Sequence, residues 1–333
     1  MKKNHQAPEG LGEHPFAPYI RTLGKGRQGS RALSPEEAEA AFTIILQGEA
    51  LPMQIGAFLM LLRVKEETAE ELAGFVRAVH KLNPPPAGIA KPRLDWPAYA
   101  GKRRQLPWFV LSALLLAKHG ISVCMHGTSG FDPDRVFVPE ALAALGIPEA
   151  NSLTEAALQI EQDHFAFLRL KIIHNHMEDM LQLRPILGLR SPINSLARML
   201  NPLDADASLI GIFHPSYRDT HHNAAHLLQL PRCAVLKGEG GEAERSPDSP
   251  CLLKSAIDGV NTETNWPALL DKRQLKDQRM DPKRLLTVWR GEDSDIYGEA
   301  AVIATTAVAL YTLGEVNTTE AADKLARQWW NER

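Results

Sequence analysis

The run Pro84-Pro85-Pro86 constrains this chain more than any other feature. Three successive residues with fixed φ and no N–H can continue neither a helix nor a sheet ladder. Before the run, every apolar pattern has helical period. Ser34-Pro35-Glu36-Glu37 reads as a helix start, with Ser34 as N-cap, Pro35 at the first helical position and Glu37 closing a capping box. Ala38, Ala41, Phe42, Ile45 and Leu46 follow at helical spacing, and Gly48 ends the run. Pro52 opens a second helix through Gln54, Phe58, Leu61 and Leu62. Thr68 and Glu71 form another capping box ahead of Leu72, Phe75, Val76 and Val79. Residues 16–83 therefore read as a small all-helical unit.

Beyond the prolines the period alternates. An apolar helix is expected over 107–119, a short buried strand over 121–125, and a helix over 138–146 ending in Gly146. Residues 165–170 fit a strand, as do SLIGIFH (208–214) and CAVLK (233–237), these two separated by a helix over 217–228. A polar loop covers 239–251, a buried helix 298–313, and an amphipathic helix 318–330. Such alternation argues for a mainly parallel sheet covered by helices. The expected fold is a small all-helical domain plus a larger, mainly parallel α/β domain. A chain of 333 residues suits two domains.

Charge sets the next limit. Lys plus Arg number 37 against 40 Asp plus Glu, a formal net charge of −3, so no global field draws the chain to a polyanion. Anion affinity must come from a local patch. The three cysteines, Cys124, Cys233 and Cys251, form no disulfide or zinc framework. Residues 1–15 read as a mobile, basic tail without the apolar stretch of a signal peptide. No apolar run of membrane-spanning length stands out, and a cytoplasmic protein is expected.

In an open α/β sheet, loops at the carboxyl ends of strands form the ligand crevice. Residues 100–129 supply two such loops, one with Lys102, Arg103 and Arg104, the other with Met125, His126, Gly127 and Thr128. Residues 180–203 hold Arg184, Arg190 and Arg198 with no acidic residue before Asp204. These segments are expected to face one cleft that binds phosphate. Each has a plainer reading. A Lys-Arg-Arg triplet is commonly a solvated turn, and His126 serves equally as a packed histidine. Arg190 fits a pair with Asp179 or Asp204, and residues 271–290 suit a mixed charged surface. Trp108 suits a helix-start core residue better than a base-stacking one. His174, His176 and Glu178, and His221, His222 and His226, have partial zinc-ligand spacing without a convincing third ligand.

Several segments together resemble anthranilate phosphoribosyltransferase. GEALPMQIGAFLMLLRVKEETAEELAGF is similar to that family's helical N-terminal domain. LLLAKHGISVCMHGTSG with PEALAALGI resembles its strand, phosphate loop and following helix. LRPILGLRSPINSLARMLNP resembles its anthranilate-side segment, and SLIGIFHP with GEAAVIATTAVALYTLG its later strand and C-terminal helix. The resemblance implies a nucleoside phosphorylase/phosphoribosyltransferase-like fold. Residues 16–83 with 172–202 would form the small domain, 84–171 with 203–333 the α/β domain, with the active site at the hinge and a homodimer through the helical domains.

The family's functional residues are altered here. Its glycine-rich pyrophosphate loop corresponds to Ala98-Tyr99-Ala100-Gly101-Lys102, with Arg103, Arg104 and Gln105 following. Its Lys-His-Gly-Asn loop corresponds to Met125-His126-Gly127-Thr128. Its magnesium-holding Asp-Glu pair corresponds to a stretch where Glu242 and Glu244 are separated, and its Gly-Pro corresponds to Ala197-Arg198. Arg184, Gly188, Asn194, Asn201 and Pro202 keep the local pattern. Glycines and a proline become cations, which resembles the non-enzymatic paralogues of this family that bind nucleic acid without sequence specificity. The expected partners are therefore non-specific DNA or RNA and a second copy of the chain, with no membrane. The expected phosphate contacts are Lys102, Arg103, Arg104, His126, Gly127, Thr128, Arg184, Arg190 and Arg198. No catalytic residue is assigned and no cofactor is expected. Magnesium, on Glu242 and Glu244, enters only if phosphoribosyl transfer to anthranilate or another small aromatic is retained.

Overall fold

The computed structural model describes residues 12–26, 28–130 and 132–333. Most of the expected mobile tail, 1–15, falls outside them. Four helices open the fold: α1 (Ala17–Gly24), α2 (Pro35–Leu46), α3 (Pro52–Lys65) and α4 (Ala69–Leu82). Both Ser/Thr capping boxes form as expected, from Ser34 with Glu37 and from Thr68 with Glu71. Glu71 does more than cap. Its buried carboxylate also accepts from the Leu33 N–H and from Lys65 Nζ, tying three helix ends together.

The rest alternates strand and helix: β1 (Leu94–Ala98), α5 (Phe109–Lys118), β2 (Val123–Gly127), α6 (Val138–Leu145), α7 (Leu153–Asp163) and β3 (Phe165–Arg169). Four short helices follow, α8 (Leu170–Ile173), α9 (Asn175–Leu181), α10 (Arg184–Leu187) and α11 (Ile193–Leu196), and the last two pieces of parallel sheet are β4 (Ala207–Ile212) and β5 (Arg232–Lys237), joined by α12 (Tyr217–Leu227). A hairpin of β6 (Cys251–Ile257) and β7 (Val260–Trp266) precedes α13 (Lys283–Trp289), α14 (Ile296–Leu313) and α15 (Thr319–Asn331).

The strands form one sheet in the order β3-β2-β1-β4-β5-β6-β7. The first five are parallel; β6 and β7 add antiparallel at the edge. The expected sheet is thus right in its parallel part and incomplete. β1 carries Asp95 and Pro97, which break its apolar pattern, yet all five residues are buried. The hairpin strand β7 is mostly solvent-facing and lacks an apolar run.

Two apolar cores lie on the two faces of this sheet. One packs α5, α6, α14 and α15 around Trp96, Trp108, Leu209 and Trp330. The other joins α2, α4 and α8–α12 to the opposite sheet face through Cys124, Leu168, Ile210 and Val235. Trp108 is fully buried in the first core, against Gly298 of α14, so it is not a stacking surface. Among the described residues one helix, α14, is long and apolar enough to cross a membrane by length and composition, and here it is a core helix packed on α5 and α15.

β1 and β4 pair at only two positions, Leu94 with Ala207 and Asp95 with Ser208. The connection leaving β1 runs to β2 on one side and the connection leaving β4 runs to β5 on the other, so the strand order reverses at this point. Beyond Asp95 the carboxyl halves of the two strands separate, the crevice where α/β sheets take their ligands.

Candidate anion site

The segment after β5 enters this crevice. Gly211 on β4 has no room for a side chain, because a Cβ there would lie 2.3 Å from Ala243 N. That contact places Glu242 and Glu244 under the β1 loop. Glu242 Oε1 accepts from the N–H groups of Ala100 at 2.7 Å and Gly101 at 2.5 Å. Two successive amides converging on an anion form the kind of backbone nest that otherwise holds a phosphate oxygen. Here the chain supplies the anion itself. Burial pushes the Glu242 carboxyl up, while Arg198 and the two amides favour its charged form.

Lys102 is not on the surface. It is 1% exposed, with Nζ 2.6 Å from Glu244 Oε1 and 3.1 Å from Glu239 Oε2. Burial is the largest single influence and favours its neutral form, but Glu244, Tyr297 and Glu239 together outweigh it and hold the ammonium charged. Glu244 Oε2 also accepts from Phe109 N–H at 2.9 Å, at the start of α5. The expectation that Lys102 contacts phosphate is therefore corrected: a buried lysine with two carboxylates is already neutralised. The same contacts correct the candidate metal pair. Glu242 Oε1 and both oxygens of Glu244 are taken by amides and an ammonium, which leaves only the buried Glu242 Oε2 without a partner; one free oxygen does not fit magnesium, and no group of three metal-ligating side chains gathers among the described residues.

His126 is likewise corrected. It is fully buried beneath the loop, with Nδ1 2.6 Å from the Tyr99 hydroxyl and Nε2 3.1 Å from Asp95 Oδ1. Gly127 is required by strand contact, since a Cβ would lie 2.2 Å from Ala98 O. Thr128 does line the crevice, but its buried hydroxyl donates to Glu178 at 2.7 Å. Arg103 and Arg104 are exposed, and their backbone N–H groups donate to Glu239 Oε1, leaving both side chains outward.

The arginines of residues 180–203 behave differently. A cavity of about 440 Å³ between the sheet end and the short helices is lined by Arg135, Arg184 and Arg190. A smaller one of about 120 Å³ shares Arg190 and adds Arg63 and Arg198. Among the described residues, neither Arg184 nor Arg190 has a carboxylate within 4 Å; Asp204, a proposed partner of Arg190, pairs with Lys91 instead. Arg190 is pulled down to about 10, first by burial and then by Arg198, Arg135 and Arg184. Burial and three like charges act together on this guanidinium against the one carboxylate that favours its charge, Glu242. Arg198 is buried and donates to the carbonyls of Gly241 and Asn194, and Glu242 favours its charged form. Arg135 pairs with Asp132 and also donates to the Ala100 and Gly101 carbonyls. Arg135 was missed in the sequence because it sits beyond the phosphate-loop strand, with nothing local to mark it.

Histidines 221 and 222 are buried on α12 and His226 is exposed, so they do not converge. His221 Nδ1 lies 2.8 Å from Tyr217 O, and burial pulls its pKa down to about 4.

Fold and site together define a two-domain α/β protein with an arginine-lined crevice at the switch point of its sheet. The chain belongs to the glycosyl transferase family: residues 17–82 match its helical bundle domain and 110–331 its a/b domain. It is 32% identical over 249 residues, 74% of this chain and 72% of the relative, to anthranilate phosphoribosyltransferase of Nitratidesulfovibrio vulgaris. It is 30% identical over 208 residues to the uncharacterized protein YbiB of Escherichia coli K12, covering 61% of this chain and 64% of that one. The fold is shared with the anthranilate phosphoribosyltransferase of Thermus thermophilus, at a TM-score of 0.80 and 23% identity, covering 96% and 94% of the two chains.

Proposed function

We propose that this protein binds nucleic acid without sequence specificity, in the cytoplasm, and no longer transfers phosphoribosyl groups. One observation carries the reading: Arg184 and Arg190, which have no carboxylate within 4 Å among the described residues, stand with Arg135 and Arg198 around one cleft, where the nearby carboxylate Asp132 is already paired with Arg135. The cleft's amide nest is meanwhile filled by Glu242. A backbone phosphate chain satisfies the arginines through charge and counterion release, which is indifferent to base sequence. A homodimer is part of the proposal. Leu51, Met53 and Val64 on and beside α3 are exposed apolar residues of the helical unit, suited to a second copy.

The test is binding of a labelled oligonucleotide at low and moderate salt by wild type and by the Arg184→Ala/Arg190→Ala variant. Salt-sensitive binding that the variant loses supports the reading; equal affinity of the two proteins overturns it. The obvious triple variant of Lys102, Arg103 and Arg104 is the wrong tool, because Lys102 is structural.

A second reading is active phosphoribosyl transfer, favoured by the name and 32% identity of the Nitratidesulfovibrio relative. Magnesium-dependent stabilisation against heat by phosphoribosyl pyrophosphate supports that reading, and no shift at millimolar donor counts against it.

A further inference from the structure

Phe213 follows β4 and is, among the described residues, the one exposed Phe, Tyr or Trp, at 51%. Its base is fixed, because the Gly238 N–H donates to Ile212 O at 3.0 Å. The ring stands between two cation-lined clefts. On one side is the cavity holding Arg190 and Arg198. On the other is a cleft of about 560 Å³ lined by Arg104, Arg218, Lys237 and Arg273, and also by Glu239, Glu244 and Asp248. Glu239 and Glu244 are engaged by Lys102, and Asp248 by Ser246 and the Gln274 N–H. None of the four cations has a carboxylate within 4 Å among the described residues. His214 lies near-perpendicular to Phe213, ring centroids 4.7 Å apart, and half of the Phe213 surface still meets solvent.

A phosphate chain crossing from one cleft to the other must pass this ring. An exposed phenylalanine contributes nothing to phosphate binding, and it stays in water at a cost unless an apolar face covers it. Unpaired bases have such a face, and bases in a duplex are already stacked. Aromatic platforms flanked by cations are how single strands are held without sequence preference. We propose that Phe213 is a base-stacking platform and that the polyanion is a single strand laid across both clefts. This rests on the nucleic-acid reading above.

The experiment compares a labelled single strand, a duplex of equal length and inorganic polyphosphate, which has the charge without bases. Wild type, Phe213→Ala and Phe213→Trp are measured over a salt series. Stacking predicts that Phe213→Ala weakens the single strand about tenfold. Its salt slope, duplex affinity and polyphosphate affinity stay unchanged, and Phe213→Trp retains single-strand affinity. Salt-sensitive wild-type binding with equal single-strand affinity in Phe213→Ala overturns the stacking role and leaves the nucleic-acid reading standing. An equal loss for polyphosphate overturns it too, since charge would then be what was disturbed. Failure of wild type to bind any of the three at low salt overturns both.

Discussion

Two basic stretches border the same crevice, and they differ in what faces them. In the β1 loop, Lys102 is buried with Glu244 and Glu239, and Glu242 fills the neighbouring amides. Around the short helices, Arg184 and Arg190 have no such partners among the described residues, and Arg190 is depressed by burial and then by its like-charged neighbours. The first arrangement stabilises the fold; the second leaves charge available to a ligand. Counting cations in a loop does not distinguish them, because the distinction is made by carboxylates from elsewhere in the chain.

The largest expected effect separates the two directly. Lys102→Met leaves Glu244 charged and unpaired in the core, which costs about 3–5 kcal/mol of stability. Urea midpoints measure it, and removing Glu244 as well recovers part of the loss. Full stability with lost polyanion affinity would instead make Lys102 a binding residue and break the comparison.

The second concerns His221, on the wall of the arginine cleft. Its folded pKa of about 4 lies below the ordinary histidine value near 6.5, so the unfolded chain binds the proton more readily. Its contribution is complete above about pH 6.5 and is lost as pH falls toward 4. Between pH 7.5 and 5 this amounts to about 2 kcal/mol. The difference in unfolding free energy between wild type and His221→Asn, measured at both values, should shrink by that amount at the lower pH.

The third tests the open cluster. Arg190→Ala should leave stability unchanged or slightly raised, because it relieves like-charge repulsion. It should lower the slope of log affinity against log salt by about 0.7 on a single strand for each phosphate contact removed. A large fall in stability would show that Arg190 has a structural partner after all.

The smallest effect belongs to Arg103 and Arg104, the outward half of the β1 loop. Their joint replacement by alanine should change stability by less than about 0.5 kcal/mol. It should reduce affinity evenly across sequences, as phosphate contacts do. The contrast with Lys102, one residue away, is the sharpest form of the comparison.

Much of the fold is legible locally. The capping boxes at Ser34 and Thr68, the apolar helix after Trp108 and the parallel strands β2, β3, β4 and β5 follow from patterns a few residues long. β1 escaped because Asp95 and Pro97 interrupt it; a strand buried on both faces at the sheet centre tolerates them when their contacts come from other elements. Within the site, Arg184 and Arg190 were legible as a cationic segment without acids. Arg135 and Phe213 were not, having no pattern around them.

The sequence by itself determined the helix ends, the alternation of strand and helix, the two-part organisation and the surplus of arginine near one sheet end, because each depends on neighbours in the chain. Which of those cations remain charged toward a ligand was decided by the tertiary structure. Lys102 meets Glu244 across 142 positions, and Ala100 meets Glu242 across the same separation. Burial and pairing between residues so far apart are properties of the folded sheet, and they convert one basic loop into core and leave the other as a cleft.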